Sequence, residues 1–330
     1  MTLETPRPSL SPSPAPANDL FRPYYKSHRH ISHEDALHSP DVFSSYKSYS
    51  SPHYTIQQEQ FDAESVGLKN RFETFAQTQV DFAPPKHYYT VEELPGLLIY
   101  PNLMPPAVQS RLVTETIEQY LPPKEHLNNL DLFYDIPRPF NLFNNENPHA
   151  EILHREGGKP TSRDKIKNKQ LRWVTLGGQY NWTTKAYPSF IPGTEGFPYF
   201  PKNLYELLSR PLFSINPEAA IINFYCPGDI LSPHQDVAEL SQDDLVSVSI
   251  GLDAIFYVGL NRYDDSENSL APPLCLMLRS GDVIVMGGKS RHAYHGIGKV
   301  FSNTSPDLNS PYQDWLDTKR VNINVRQMLQ

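Results

Sequence analysis

Apolar and polar residues alternate in short runs from Leu171 to the end of the chain. The runs are LRWVTLGG, AAIINFYC, LVSVSIGLDAIFYVGL, PLCLMLRSGDVIVMGG and RVNINVRQ, separated by Gly, Pro and Asp. Alternation and β-branched residues are typical of strands. Parallel strands would need crossover helices of about a dozen residues between them, and these are missing. We therefore predict an α+β protein in which antiparallel strands form a sandwich or jelly roll and helices pack outside.

A helical pattern precedes this region. After Pro105 and Pro106, which suit a helix start, apolar residues recur at helical spacing, and we predict one helix over about 106–121. The segment GLLIY before it reads as a buried strand.

The N-terminal part lacks both patterns. Residues 1–60 are rich in Pro and Ser with little apolar periodicity, so we predict a disordered tail. Residues 61–87 show weak helical periodicity, and the pattern leaves open whether this transitional segment docks on the domain. The folded domain is expected over 88–330.

Composition narrows the classes of protein further. Cys226 and Cys275 form no metal-binding or disulfide motif, which favours inert thiols in a reducing compartment. No leader peptide and no apolar run long enough to span a membrane are recognisable. The net charge of −8 argues against broad nucleic-acid binding, although local basic clusters can override it.

The motif His234-Gln-Asp236 carries candidate metal chemistry. Two residues spaced by two project to one side of an extended chain, and His295 offers a third ligand downstream. Two imidazoles and one carboxylate form the facial triad of non-haem Fe(II) oxygenases, with positions left open for cosubstrate and oxygen. The similar motif His33-Glu34-Asp35 has no strands around it and is interpreted as a coincidence. His292 competes with His295, which we favour.

Two strands place further polar groups on one face. Arg320, Asn322, Asn324 and Arg326 alternate with three apolar residues, so their side chains must reach a cavity where a dicarboxylate could neutralise both guanidinium groups. Asn223 and Tyr225 alternate in the same way before the metal motif.

Taken together, these blocks resemble the AlkB family of Fe(II)/2-oxoglutarate dioxygenases over about 90–330, most closely the branch of the first AlkB homologue of eukaryotes. The resemblance rests on INFYCPGDILSPHQD, SVSIGLDAIF, SGDVIVMGGKSRHAYHG, RVNINVRQ and LRWVTLGGQYNWTTKAYP. It implies a double-stranded β-helix core, with Fe(II), 2-oxoglutarate and O2 as cofactor and cosubstrates. It also implies iron ligation by His234, Asp236 and His295, and cosubstrate contacts by Asn223, Tyr225, Arg320, Asn322 and Arg326.

The resemblance is weaker on the substrate side. Ala238 stands where the bacterial member has a second acid, and Glu239 follows it; Met286 replaces an aromatic residue. Tyr180 and Trp182 either stack on a base or are ordinary aromatics of the fold. Arg291 is placed near the substrate, and the alternative is that it pairs with a surface acid.

The most basic stretch is the predicted loop 155–172, with seven basic and two acidic residues. It is either a solvated loop or a contact for phosphates.

The resemblance implies oxidative demethylation or hydroxylation of bases in tRNA or DNA, and we expect a monomer in the nucleus or cytoplasm. Two alternatives stay open: a protein (histone) demethylase or hydroxylase with the same iron site, and a non-catalytic RNA-binding protein.

Overall fold

The computed structural model describes residues 19–45, 49–144, 147, 149–181, 183–263 and 270–329. The helices are α1 Arg22–His28, α2 His33–His38, α3 Leu68–Ala76, α4 Pro106–Glu115, α5 Arg163–Lys165, α6 Lys202–Leu208 and α7 Gln313–Leu316. Further helical turns cover Thr116–Tyr120, Ile166–Gln170 and Gly288–His292. The helix expected over 106–121 is thus confirmed as α4 and its continuation.

The strands form two principal sheets. They are β1 Val42–Phe43, β2 Ile56–Gln60, β3 His87–Val91, β4 Leu97–Tyr100, β5 Glu151–Ile152, β6 Thr161–Ser162, β7 Trp173–Gly177, β8 Ala219–Tyr225, β9 Leu231–His234, β10 Leu245–Gly251, β11 Ala254–Gly259, β12 Leu274–Leu278, β13 Val283–Met286, β14 Tyr294–Val300 and β15 Arg320–Arg326. One sheet has the order β2-β3-β4-β13-β10-β15-β8-β7, and the other has the order β1-β12-β11-β14-β9. Every pairing except that of β1 with β12 is antiparallel, as expected for a jelly roll.

Burial explains how the layers assemble. On β15, Val321, Ile323 and Val325 pack with α3, α4 and α6 in the largest apolar core. Between the sheets, Met286 and Ile284 meet Phe256 and other apolar residues of the smaller sheet in a second core. The polar residues of β15 therefore face the space between the sheets, as the alternation predicted.

The N-terminal part differs from its prediction. Residues 19–45 are folded onto the outer face of the five-stranded sheet, where Phe21, Ala36 and Val42 are fully buried against Tyr257 and its neighbours. Residues 56–60 form β2, which pairs with β3. The prediction of a disordered tail to residue 60 is thus wrong for these residues. A few widely spaced apolar side chains are enough to fold the segment, because they pack on an apolar face of the sheet. Residues 1–18 lie outside the described residues.

Two other boundaries change. In the transitional segment, α3 docks on the large core through Leu68, Phe72 and Phe75. The stretch expected to be a basic loop, 155–172, is helical over 163–170, and Ile166 anchors it in the same core. Among the described residues, no helix has the length and apolar character needed to cross a membrane.

Candidate active site

Three side chains converge where the two sheets open. His234 ends β9, Asp236 follows two residues later, and His295 lies on β14 directly opposite His234 in the strand pairing. One ligand atom from each of the three lies within 4.8 Å of those of the others. The sequence prediction placed these three residues together, and the structure brings them together.

Hydrogen bonds set the orientation of both imidazoles. Nδ1 of His295 lies 3.0 Å from the carbonyl oxygen of Ala293, and Nδ1 of His234 lies 3.1 Å from that of Ser232. An Nδ1–H that donates to a carbonyl leaves Nε2 with its lone pair free for a metal. Burial lowers the pKa of His295 to about 4, so its imidazole is neutral at physiological pH.

Asp236 is held as a carboxylate. Burial alone would raise its pKa, but Arg326 and the two imidazoles bring that pKa well below its ordinary value. Nη2 of Arg326 lies 3.2 Å from Oδ2 of Asp236, whereas Oδ1 lies 3.8 Å from Nε2 of His234. The second oxygen therefore faces the point where the imidazoles converge.

A cavity of about 540 Å³ surrounds this cluster. Its walls come from both sheets and from the segment that carries Tyr180 and Lys185. From the predicted set it includes Asn223, Tyr225, Arg320, Asn322 and Arg326. All five predicted cosubstrate residues thus line one space next to the three converging side chains.

Arg320 is a buried cation that pairs with no acid among the described residues. Its side chain is fully buried, Nη1 donates to the carbonyl oxygen of Leu252 at 3.2 Å, and Nη2 donates to Oγ of Ser249 at 2.8 Å. Its Nε has no partner, and no described carboxylate forms an ion pair with it. Burial lowers the pKa of Arg320. Such a group calls for an anionic ligand in the cavity.

Sequence comparison identifies the family. Residues 138–326 match the family model of the 2OG-Fe(II) oxygenase superfamily. The chain is 34% identical over 278 residues to the N6-methyladenosine RNA demethylase ALKB1 of Pyricularia oryzae, covering 74% of this chain and 77% of that protein. It is 36% identical over 257 residues to the tRNA demethylase abh1 of Schizosaccharomyces pombe, covering 73% and 81%. The chain belongs to the AlkB family of Fe(II)- and 2-oxoglutarate-dependent dioxygenases.

A third AlkB relative carries a DNA-directed name. It is the DNA N(6)-methyladenine demethylase ALKBH1A of Arabidopsis thaliana, 27% identical over 288 residues, which cover 76% of this chain and 79% of that protein.

The residues present fit the cofactors of the AlkB family. Two imidazoles with one carboxylate are a donor set suited to Fe(II), and the buried guanidinium of Arg320, whose Nε has no partner, would suit a carboxylate of 2-oxoglutarate. Burial raises the pKa of Tyr225, so its hydroxyl keeps its proton. Asn322 donates through Nδ2 to Oγ of Ser247 at 2.8 Å, which ties β15 to β10 beside the cavity.

Arg326 differs from Arg320 in having acidic partners. The sequence suggested that a dicarboxylate would neutralise both guanidinium groups, but Arg326 already pairs with Asp236 and, at 2.8 Å, with Oε1 of Glu239. Of these two guanidinium groups, only that of Arg320 has no acidic partner among the described residues.

Arg291 does not contact the cavity. The side chain is buried, Nη2 pairs with Oε2 of Glu239 at 3.0 Å, and its other nitrogens donate to the carbonyl oxygens of Asp236 and Asp243. The prediction of a substrate contact is thus wrong, and its alternative, a pair with an acid, is correct except that the acid is buried. His292 bonds to Gln242 through Nε2 and takes no part in the triad.

Glu239 is the functional residue whose role the sequence did not show. It lies between Arg291 and Arg326, and Oε1 accepts a hydrogen bond from the Tyr187 hydroxyl at 3.4 Å. The signal was present, since two arginines in strand-rich buried blocks require more acid than Asp236 supplies. Of the two aromatic candidates, Tyr180 lines the cavity and Trp182 lies outside the described residues.

Proposed function

We propose that this AlkB-family enzyme removes N-methyl groups oxidatively from bases in nucleic acid, in tRNA or DNA. The observation that carries the proposal is the cavity. The triad forms part of its wall, and it has the volume of a small-molecule site. The named activities of the relatives, on RNA, tRNA and DNA, support the same class of substrate.

The chain's own residues perform four tasks at this site. His234 and His295 are oriented by their Nδ1 contacts to backbone carbonyl oxygens, and Arg326 keeps Asp236 ionised. Arg320 holds the distal carboxylate of the cosubstrate through a buried ion pair. When bound, Fe(II) with 2-oxoglutarate and O2 supplies oxidation of the N-methyl C–H bond, after which the methyl carbon leaves as formaldehyde. The apolar walls formed by Met286, Leu278 and Ile284 exclude water from the cosubstrate pocket.

A tight turn over residues 181–186 places the side chain of Lys185 at the cavity, where it can contact the substrate. Oδ1 of Asn181 accepts hydrogen bonds from the backbone N–H groups of Thr183 and Thr184, and Asn181 also pairs with Ala186. Within this turn Lys185 adopts a left-handed φ of 54°, lines the cavity and bonds to none of the described residues. A phosphate flanking an extruded base would provide its counter-charge.

The basic stretch 155–172 contributes a second cationic surface. Arg155, Lys167 and Arg172 form ion pairs with Asp135, Asp164 and Asp229. Lys159, Lys165 and Lys169 are exposed, and no described residue pairs with them. Lys165 and Lys169 are one helical turn apart, so their ammonium groups share one face. We assign this face to the phosphate backbone outside the cavity.

One turnover experiment tests the proposal. The full-length protein, with Fe(II) and 2-oxoglutarate, is incubated with methylated tRNA, methylated single-stranded DNA or methylated histone peptides. Succinate, formaldehyde and the loss of methyl mass are then measured. We expect stoichiometric demethylation of a nucleic acid. Demethylation confined to the peptides would overturn the proposal in favour of a protein demethylase, and binding of RNA without turnover would indicate a non-catalytic protein. A monomer and a nuclear or cytoplasmic location stay predictions from the sequence.

A further inference from the structure

The strand that carries His234 lies at the edge of its sheet. β9 pairs with β14 and with no other described strand, so its outer side lacks a ladder of backbone hydrogen bonds. Because an edge strand is hydrogen-bonded on one side only, a metal-ligating side chain on it needs other contacts to fix its position.

The register between these two strands contains a bulge. His295 pairs with His234 and Ile297 pairs with Leu231, so two steps along β14 match three steps along β9. A shift of one residue moves every side chain to the opposite face of a sheet. The extra residue in β9 therefore decides whether the His234 side chain points toward Asp236 and His295 or to the opposite face of the sheet.

Tyr25 of α1 fixes the first end of this bulge. Its hydroxyl donates a hydrogen bond to the carbonyl oxygen of Leu231, and its ring packs edge-on against Tyr257 with a centroid distance of 4.8 Å. Burial raises the pKa of Tyr25, so the donor proton is retained. A Cβ atom at Gly296 would lie 2.3 Å from this hydroxyl and 2.4 Å from the Leu231 oxygen, which explains why glycine follows His295.

Asp19 supports the other end through Arg262. Nη1 of Arg262 donates to the carbonyl oxygen of Pro233 at 3.1 Å, and Nε pairs with Oδ2 of Asp19 at 3.2 Å. The N-terminal segment thus reaches both the first and the last carbonyl before His234. His28 and Lys299 attach the same segment to the sheet, through the Tyr257 hydroxyl and the carbonyl oxygens of Arg29 and Ile31.

We propose that Tyr25 and Asp19 are positioning residues of the metal centre, which hold β9 in the bulged register that aims His234 at the ion. Residues 19–45 accordingly help to position an active-site residue, although they lie far from it in sequence. The role depends on the metal centre and is independent of which substrate is demethylated.

Metal titration of the full-length protein tests this role without any turnover. Tyr25→Phe keeps the ring and removes the hydrogen bond, whereas Tyr24→Phe is the matched control, because the Tyr24 hydroxyl bonds to no described residue. Mn(II), a redox-stable substitute for Fe(II), is titrated at a temperature at which circular dichroism shows each metal-free variant fully folded. We expect Tyr25→Phe to weaken Mn(II) binding by about fivefold, as for one typical hydrogen bond, and Tyr25→Phe with Asp19→Asn to weaken it further.

The outcomes separate a positioning role from a purely structural one. Weaker Mn(II) binding by Tyr25→Phe, with Tyr24→Phe at the wild-type value, supports the proposal. Unchanged Mn(II) affinity in Tyr25→Phe and in the double variant overturns it, even if their melting temperatures fall, because the segment would then stabilise the fold without influencing the ligands.

Discussion

Arg326 of β15 forms an ion pair with Asp236, with Nη2 and Oδ2 3.2 Å apart, and so links this strand to the His-Asp-His triad. Its other terminal nitrogen, Nη1, pairs with Glu239, which also forms an ion pair with Arg291. Two buried cations, the buried Glu239 and the partly buried Asp236 thus neutralise one another beside the cavity. The metal ligand Asp236 is one corner of this network, so the network's integrity and the ligand's position are coupled.

Replacing Glu239 by Gln should destabilise the protein by about 3–5 kcal/mol, because it leaves the Arg291 guanidinium without its acid inside the protein. Urea unfolding of the metal-free protein measures this loss. Glu206→Gln, at an exposed ion pair with Lys202, is the control and should change stability by less than about 1 kcal/mol. Wild-type stability of Glu239→Gln, together with a raised KM for substrate, would instead make Glu239 a base-binding acid.

Replacing Arg320 by Gln should raise the KM for 2-oxoglutarate by about 10- to 100-fold, since a hydrogen-bonded buried charge pair with the cosubstrate is lost. The effect on kcat at saturating 2-oxoglutarate should be much smaller. In the absence of 2-oxoglutarate, Arg320→Met should be at least as stable as wild type, because the buried charge then has no acidic partner. Steady-state kinetics and thermal unfolding measure the two effects. An unchanged KM would assign the carboxylate to another residue.

Replacing His295 by Ala should abolish binding of Mn(II), whereas His292→Ala should bind it normally. The two residues are three positions apart, yet only His295 belongs to the triad, and His292 bonds to Gln242. Calorimetric titration distinguishes them. Retained Mn(II) binding in His295→Ala would remove this residue from the ligand set.

Acidification should loosen the N-terminal segment through His28. Burial lowers the pKa of His28, so below pH 6.5, the ordinary value, the unfolded chain binds more protons than the folded one. Stability is therefore lost as the pH falls below that value. Urea unfolding across this pH range should show a smaller loss for His28→Gln than for wild type, while exposed His53→Gln should behave as wild type. An identical pH dependence in all three proteins would exclude His28 as a contributor.

Reversing the charge of Lys165 and Lys169 to Glu should weaken binding of tRNA and reduce the salt slope of binding by about one for each lost phosphate contact. Fluorescence anisotropy at several salt concentrations measures both quantities. Lys202→Glu, on α6, serves as the control. If the double variant binds with wild-type affinity and salt slope, this face does not contact the backbone.

The sequence predicted the strands, the triad and the arginine-bearing face because each depends on local alternation or on residue type. It did not predict that Glu239 pairs with both Arg291 and Arg326, since a pattern shows that a group is buried but not which distant acid neutralises it. For the same reason the motif at His33 was correctly excluded as a metal site, but on the wrong premise that nothing holds its side chain in place. The surrounding structure does hold it, with Nε2 2.9 Å from Oδ2 of Asp253, but Asp253 is not part of the triad.

Residues 19–45 were misjudged for a related reason. Their few apolar side chains carry no periodicity of their own, and the sheet face that buries them is built from residues beyond 250. Local composition therefore resembles that of a disordered tail, although the tertiary contacts exist.

The bond between Tyr25 and Leu231 joins residues 206 positions apart, which has a consequence for how the protein is made. During synthesis, α1 leaves the ribosome long before β9, β11 and β14 exist, and must remain unpaired until nearly the whole chain has emerged. Contacts of such long range form slowly. The segment synthesised first is thus among the last to be placed, and newly made chains should acquire metal affinity only after that late docking step.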